Sequence, residues 1–232
     1  MARTCFSILI LWLAACVAGA QGHTRLRFIP VVGSAPLVLD NQAYLLPGGK
    51  DSFRISALRF YVSGIRFYQD TSLSWAEAGG YHLIDPAEPD GLSMALSLPR
   101  NVRYNHLAFN VGIDSATNAA GAGGGALDAA NGMYWAWQSG YINMKIEGTS
   151  NLCNTRKHRF QFHLGGFRGD AYCLQHISLM PEYYSPVAVR VDVAAFLQRI
   201  DLAKEAEIMS PGSDAVRLSK NIPYMFFIKP GL

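Results

Sequence analysis

The chain has 232 residues, half of them hydrophobic and only 16% charged, enough to bury a substantial core within one domain. Its formal charge of +3 comes from scattered basic residues. The one cluster, Arg156 to Arg159 (RKHR), reads as a solvated turn, which excludes an electrostatic footprint for nucleic acid.

Phe6 to Val17 form a short apolar run behind Arg3, too short to span a bilayer and suited to the hydrophobic region of a signal peptide. Two processing patterns follow from it. Ala18-Gly19-Ala20 offers a small-x-small cleavage site that would remove residues 1–20. Leu13-Ala14-Ala15-Cys16 resembles a lipobox, which would remove residues 1–15 and leave a lipid on Cys16. Either places the protein outside the cytoplasm, periplasmic or secreted, with a lipid anchor as its sole link to a membrane. Residues 21–232 are expected to form a single β domain.

From Thr24 the pattern is one of short strands. RLRFIPVV alternates through Leu26 and Phe28, and a Pro/Gly-containing connection from Gly33 to Gly49 follows. Phe53 to Tyr68 is aromatic and β-branched, interrupted by Gly64, and predicts a pair of strands or one long bent strand. Tyr81 to Asp85 (YHLID) is a short strand stopped by Pro86 and Pro89, and Asn105 to Asp114 alternates cleanly through Leu107, Phe109 and Val111. Ala119 to Ala126 (AAGAGGGA) lacks the Gly-Lys-Ser/Thr ending of a phosphate loop and reads as a flexible surface loop.

Gly132 to Gly148 (GMYWAWQSGYINMKIEG) concentrates two tryptophans, two tyrosines and two methionines. Period-two reading puts Met133, Trp135 and Trp137 on one face; after Gly140 it puts Ile142, Met144 and Ile146 opposite Tyr141, Asn143, Lys145 and Glu147. His158 to Leu164 and Val187 to Val193 predict two further strands. Short helices are expected over Ala194 to Ile200 behind an Asp192 cap and over Asp214 to Ser219 behind a Ser213 cap, with a last strand at Tyr224 to Ile228. The sum is an all-β fold: an antiparallel β-sandwich or flattened barrel with a few short helices. Cys153 and Cys173, the cysteines beyond the leader, are expected to form a disulfide at the base of a hairpin.

There is no HExxH, no Gly-x-Ser-x-Gly and no carboxylate pair suited to glycoside hydrolysis, so a non-enzymatic role is favoured. Of the six histidines, His82 and His163 lie inside predicted strands, where a metal ligand would be held rigidly. Neutral imidazole suits copper, zinc and iron, with copper bound most tightly among divalent ions, and Met133 or Met144 would add a soft thioether. His23 stands close to both processing sites and is a further candidate ligand. The alternative reading is an extracytoplasmic interaction or carbohydrate-binding module that uses Trp135 and Trp137 as a stacking platform.

FRISALRFYVSGIRFY, YHLID, FNVGID, LDAANGMYWAWQSGYINMKIEG, FQFHLGG, VRVDVAAF and SDAVRLSKNIPYMF occur in the order seen in MbnP-like proteins, and the chain resembles that family over nearly all of its mature length. Such proteins are exported copper binders, often encoded beside an MbnH-type di-haem enzyme related to MauG. The resemblance implies a di-haem oxidase as partner, copper as the bound metal, and oxidation of Trp135 or Trp137 to kynurenine. It implies His82 and His163 as ligands near that modified residue. The chain departs from the four-cysteine branch of the family, since FHLGG is not followed by Ser-Thr-Gly-Cys.

Overall fold

The computed structural model describes residues 24–46, 48–99, 101–138, 140–181 and 187–228. His23, Cys16 and the leader lie outside the described residues. In chain order the strands are β1 (Thr24–Val32), β2 (Ala35–Pro36), β3 (Tyr44–Leu45), β4 (Ser52–Gln69), β5 (Ser72–Ala76), β6 (Tyr81–Ile84), β7 (Ser93–Leu96) and β8 (His106–Val111). They continue with β9 (Tyr134–Trp135), β10 (Gly140–Ser150), β11 (Arg159–Gly165), β12 (Gln175–Leu179), β13 (Val187–Asp192), β14 (Glu207–Ile208) and β15 (Phe226–Ile228). Among the described residues three short α-helices interrupt them: α1 (Ser115–Ala120), α2 (Val193–Leu197) and α3 (Ser213–Ser219).

The strands form two sheets, as the alternating patterns predict. The smaller runs β15-β13-β1-β2, with β7 also on β1; the larger runs β12-β8-β4-β10-β11-β14, with β3, β5 and β6 on β4 and β9 on β10. Pairing is antiparallel except for β1 with β13 and β11 with β14. The inner faces interlock through aromatic edges: Phe28 of β1 meets Phe60 of β4 at 5.8 Å and Phe109 of β8 at 5.6 Å, both nearly perpendicular.

Phe53 to Tyr68 forms one strand, β4, which is the spine of the larger sheet. Gly64, at φ +57°, absorbs its bend without the steric cost a side chain would bring there. The burial pattern of β4 marks the site. It alternates at both ends but is continuously buried from Phe60 to Ser63, and β10 is likewise buried from Gly140 to Met144. There the larger sheet is covered on both faces. The outer cover is a small cluster of Tyr61, Ile113, Met133, Trp135, Tyr141 and Ile142, separate from the main core.

That cover corrects one sequence reading. The glycine-rich stretch is no flexible loop; it is stitched down by buried phenols. Tyr61 Oη donates to the Ala126 carbonyl at 3.1 Å and Tyr141 Oη to the Leu127 carbonyl at 2.9 Å, while the Gly123 N–H donates to Tyr141 Oη at 2.8 Å. A second correction concerns the alternation after Gly140. The pairing of β10 with β11 slips between Ile142 and Met144, and the bulge turns Ile142 to the outer cluster while Met144 and Ile146 stay in the core. Asp192 caps α2 as expected, accepting the Ala194 N–H. Ser213 does not cap α3: the helix starts on it, behind Gly212, with no side-chain cap. The alternation gave no hint of α1, whose cap is Asp114.

The expected disulfide is also overturned, because Cys153 and Cys173 are both buried free thiols. Cys153 precedes β11 and accepts from His158 at its start, whereas the Cys173 N–H donates to the Gly166 carbonyl just past its end. Seven residues of extended strand separate the two ends, about 20 Å, far beyond the ~7 Å Cα limit of a bridge. Between the cysteines the chain runs along one strand and does not return.

Candidate functional site

The outer cover is organised by the hairpin of β9 and β10. Trp135 pairs with Gly140 and Tyr134 with Tyr141, and residues 136–138 turn between them. The turn ends the period-two pattern. Trp135 is 6% exposed whereas Trp137, at the turn, is 69% exposed. Their rings stay close, with centroids 6.3 Å apart and planes inclined by 58°. A flat stacking platform needs both indoles open to solvent, and the buried Trp135 removes that arrangement.

Trp135 lies against Gly165 of β11. A Cβ there would stand 2.7 Å from Trp135 Cζ3, so only glycine leaves room for the indole. Gly140 similarly admits Phe167, whose Cε1 would stand 3.3 Å from an added Cβ. A small cavity of about 120 Å³ opens beside the indole between Phe167, Arg168 and Pro211. Two blocks of the sequence, MYWAWQSGY and FHLGG, therefore meet in space.

The base of the hairpin is held by two cations. Lys145 Nζ donates to the Gly132 carbonyl at 2.5 Å, and Arg59 Nη1 to that of Asn131 at 3.2 Å. Arg59 also pairs through Nε with Asp85 at 2.6 Å. Burial pulls the Lys145 ammonium below the ordinary lysine pKa. His163, 7% exposed, stands directly across from Lys145 and bonds Glu147 Oε1 through Nε2 at 2.6 Å. That bond from His163 holds the Glu147 carboxyl below its usual pKa. His163 and Gly165 share one face of β11, so this imidazole and Trp135 lie on the same side of the sheet.

His82 is elsewhere. It sits opposite Val62 on β6, which flanks β4 on the side away from β10. Three strand steps separate β6 from β11, about 14 Å across, and the pleat turns His82 and His163 to opposite faces. His82 bonds Glu77 at 2.9 Å and borders a cleft of about 550 Å³ shared with Tyr81, Arg59 and Asp85. The expectation of a single pocket built from His82, His163 and an indole is therefore not met. Among the described residues no three His, Cys, Asp or Glu side chains gather as a metal site would need. The residues present do not by themselves fit a copper ion. Met133 is wholly buried packing. His106, His158 and His176 are engaged by Ser178, the Cys153 carbonyl and Asn110, respectively.

Several residues of the site escaped the sequence reading. Arg59, Lys145, Tyr81 and Asp114 all lie in stretches that alternate as strands or end them, and none of the four carried a motif. The Tyr81 phenol donates to Asp114 Oδ2 and lies 2.6 Å from Thr117 Oγ1. Asp114 also accepts the Ala116 and Thr117 N–H groups of α1, each at 3.0 Å. The doubled glycine of FHLGG, read as a strand end, is the one letter pattern that could have revealed the close approach of Trp135.

No curated protein sequence matches the chain. Its fold is similar to the solved structure of MbnP from Methylosinus trichosporium, with a TM-score of 0.60 and 17% identity over 84% of this chain and 87% of that one. The MbnP family model matches residues 21–210, and by that span, together with the ordered sequence blocks that build the indole site, the chain belongs to the MbnP family.

Proposed function

We propose that the protein is an exported, non-enzymatic member of the family that serves copper handling, matured when a di-haem oxidase converts Trp135 to kynurenine. The observation that carries this reading is the indole pair: an exposed Trp137 lies 6.3 Å from a buried Trp135 seated on Gly165. Trp137 meets the partner and passes the oxidising equivalent inward. Trp135, shielded from bulk solvent beside its small cavity, is where ring opening is directed. No helix among the described residues is long and apolar enough to cross a membrane.

The test is co-expression with the di-haem enzyme followed by peptide mass spectrometry. The expected product is a peptide with one carbon lost and one oxygen gained at Trp135 and an unaltered Trp137. Modification confined to Trp137, or none in the presence of active partner, overturns the reading. Copper is cargo here, and His82 stands apart from the indole. His82→Ala is therefore expected to leave the copper content of matured protein unchanged, as read by elemental analysis.

A further inference from the structure

The aromatic side chains of the outer cover do not stop at Trp135. Trp135 and its neighbour Tyr134 pack into one small cluster. Tyr134 meets Tyr141 at 4.9 Å between ring centroids, and Tyr141 meets Tyr61 at 5.7 Å. Tyr61 and Tyr81 lie on the same face of adjacent strands, since Tyr61 pairs with Leu83 and Ser63 with Tyr81. Such diagonal neighbours are about 7 Å apart. A file of oxidisable rings thus runs from the exposed Trp137 to Tyr81 at the wall of the large cleft. It is in ring contact at three of its steps, and is bridged by the shared cluster between Trp135 and Tyr134 and by adjacent strands between Tyr61 and Tyr81.

The phenols along it differ in where their protons point. Losing an electron makes a phenol strongly acidic, and the step is favourable only when an acceptor within hydrogen-bond reach takes the proton. Tyr61 and Tyr141 donate to the backbone carbonyls of Ala126 and Leu127, which are not bases. Tyr81 donates to the Asp114 carboxylate. Burial opposes ionisation of Asp114, yet hydrogen bonds from Tyr81, Thr117 and the Ala116 N–H outweigh it, so the carboxylate is charged and ready to accept at neutral pH.

We infer that Tyr81 and Asp114 form a proton-coupled redox site, the end point of an internal hole-transfer route that starts at Trp137. An outer-sphere one-electron oxidant, a high-valent metal complex, removes one electron from Trp137. The vacancy moves along the file until Tyr81 supplies the electron. Its O–H proton passes to Asp114 Oδ2, leaving a neutral Tyr81 phenoxyl, a protonated Asp114 and the oxidant reduced by one electron. No bond to carbon is made or broken. The site is independent of tryptophan ring opening and drains oxidising equivalents that Trp135 does not capture.

The experiment uses the full, unmodified chain with a flash-generated ruthenium(III) polypyridyl oxidant. Electron paramagnetic resonance is expected to show a neutral tyrosyl radical whose formation slows in D2O. A nitroso spin trap followed by peptide mapping of the wild-type chain is expected to place the adduct on Tyr81, a readout that needs no variant. Tyr81→Phe should abolish the tyrosyl signal and leave a tryptophan radical. Asp114→Asn, which keeps a good helix cap, should suppress the tyrosyl yield in a chain with wild-type circular dichroism. An adduct on Tyr61, Tyr134 or Tyr141, or a full tyrosyl yield in Asp114→Asn, overturns the assignment.

Discussion

A methyl group added at Gly165 would lie 2.7 Å from Cζ3 of Trp135 and 2.4 Å from the carbonyl oxygen of Tyr141. The backbone is held at this point by the pairing of Gly165 with Ile142 of β10. Gly165→Ala is therefore expected to cost about 1–3 kcal/mol of overpacking and to push the indole toward solvent. Chemical denaturation measures the first effect and a red-shifted tryptophan emission the second. Glu147 offers a residue-scale test of electrostatics. Its carboxyl is held below the ordinary value of 4.5, chiefly by the bond from His163. A depressed pKa means that the fold binds the proton less readily than the unfolded chain does. The stability it contributes is complete above the ordinary value and is lost as pH falls through the lower folded one. Urea midpoints followed from neutral pH into that range should fall less steeply in Glu147→Gln than in the parent chain.

Among the elements, α1 depends on one side chain. Asp114 accepts the N–H groups of Ala116 and Thr117 and also takes the Tyr81 phenol, joining the helix to β6. Asp114→Ala should cost about 1 kcal/mol in thermal or chemical melts, and Asp114→Asn much less, because an amide oxygen still caps the first turn. The elements legible in the sequence were those with one buried face. RLRFIPVV, NHLAFNV and VAVRVD alternate because the inner side of each meets the core, and each forms a strand close to its predicted bounds. The outer cover was not legible for the complementary reason. Its ties run from Tyr61, Tyr141, Arg59 and Lys145 to backbone carbonyls far along the chain, and a carbonyl has no letter in a sequence. The turn after Trp135 defeated the alternation for a local reason, since residues 136–138 leave the strand and carry Trp137 out to solvent. His82 and His163 each occupy a strand as predicted, but a strand position fixes neither which neighbour lies beside it nor which side of the sheet the ring faces. Only the order β11-β10-β4-β6 does that.

For the molecule as a whole, the paired sheets account for stability without a covalent staple. Cys153 and Cys173 are part of the main core, and burial pushes the Cys173 thiol up to about 11. Both thiols are expected to resist iodoacetamide in the native protein and to gain two alkyl groups only after denaturation, as intact mass would show; reductant should leave the melting temperature unchanged. The central pairing of the smaller sheet carries a consequence of another kind. β1, the first strand made, is flanked by β13, almost the last, and the two run parallel. A ribosome, or an export channel that threads the chain from its amino end, delivers β1 long before its neighbour exists. Until β13 emerges the smaller layer cannot close, Phe28 has no settled surroundings, and the polypeptide stays loosely organised. The topology thus delays folding until nearly all of the chain is through, the timing that passage across a membrane as an extended thread requires.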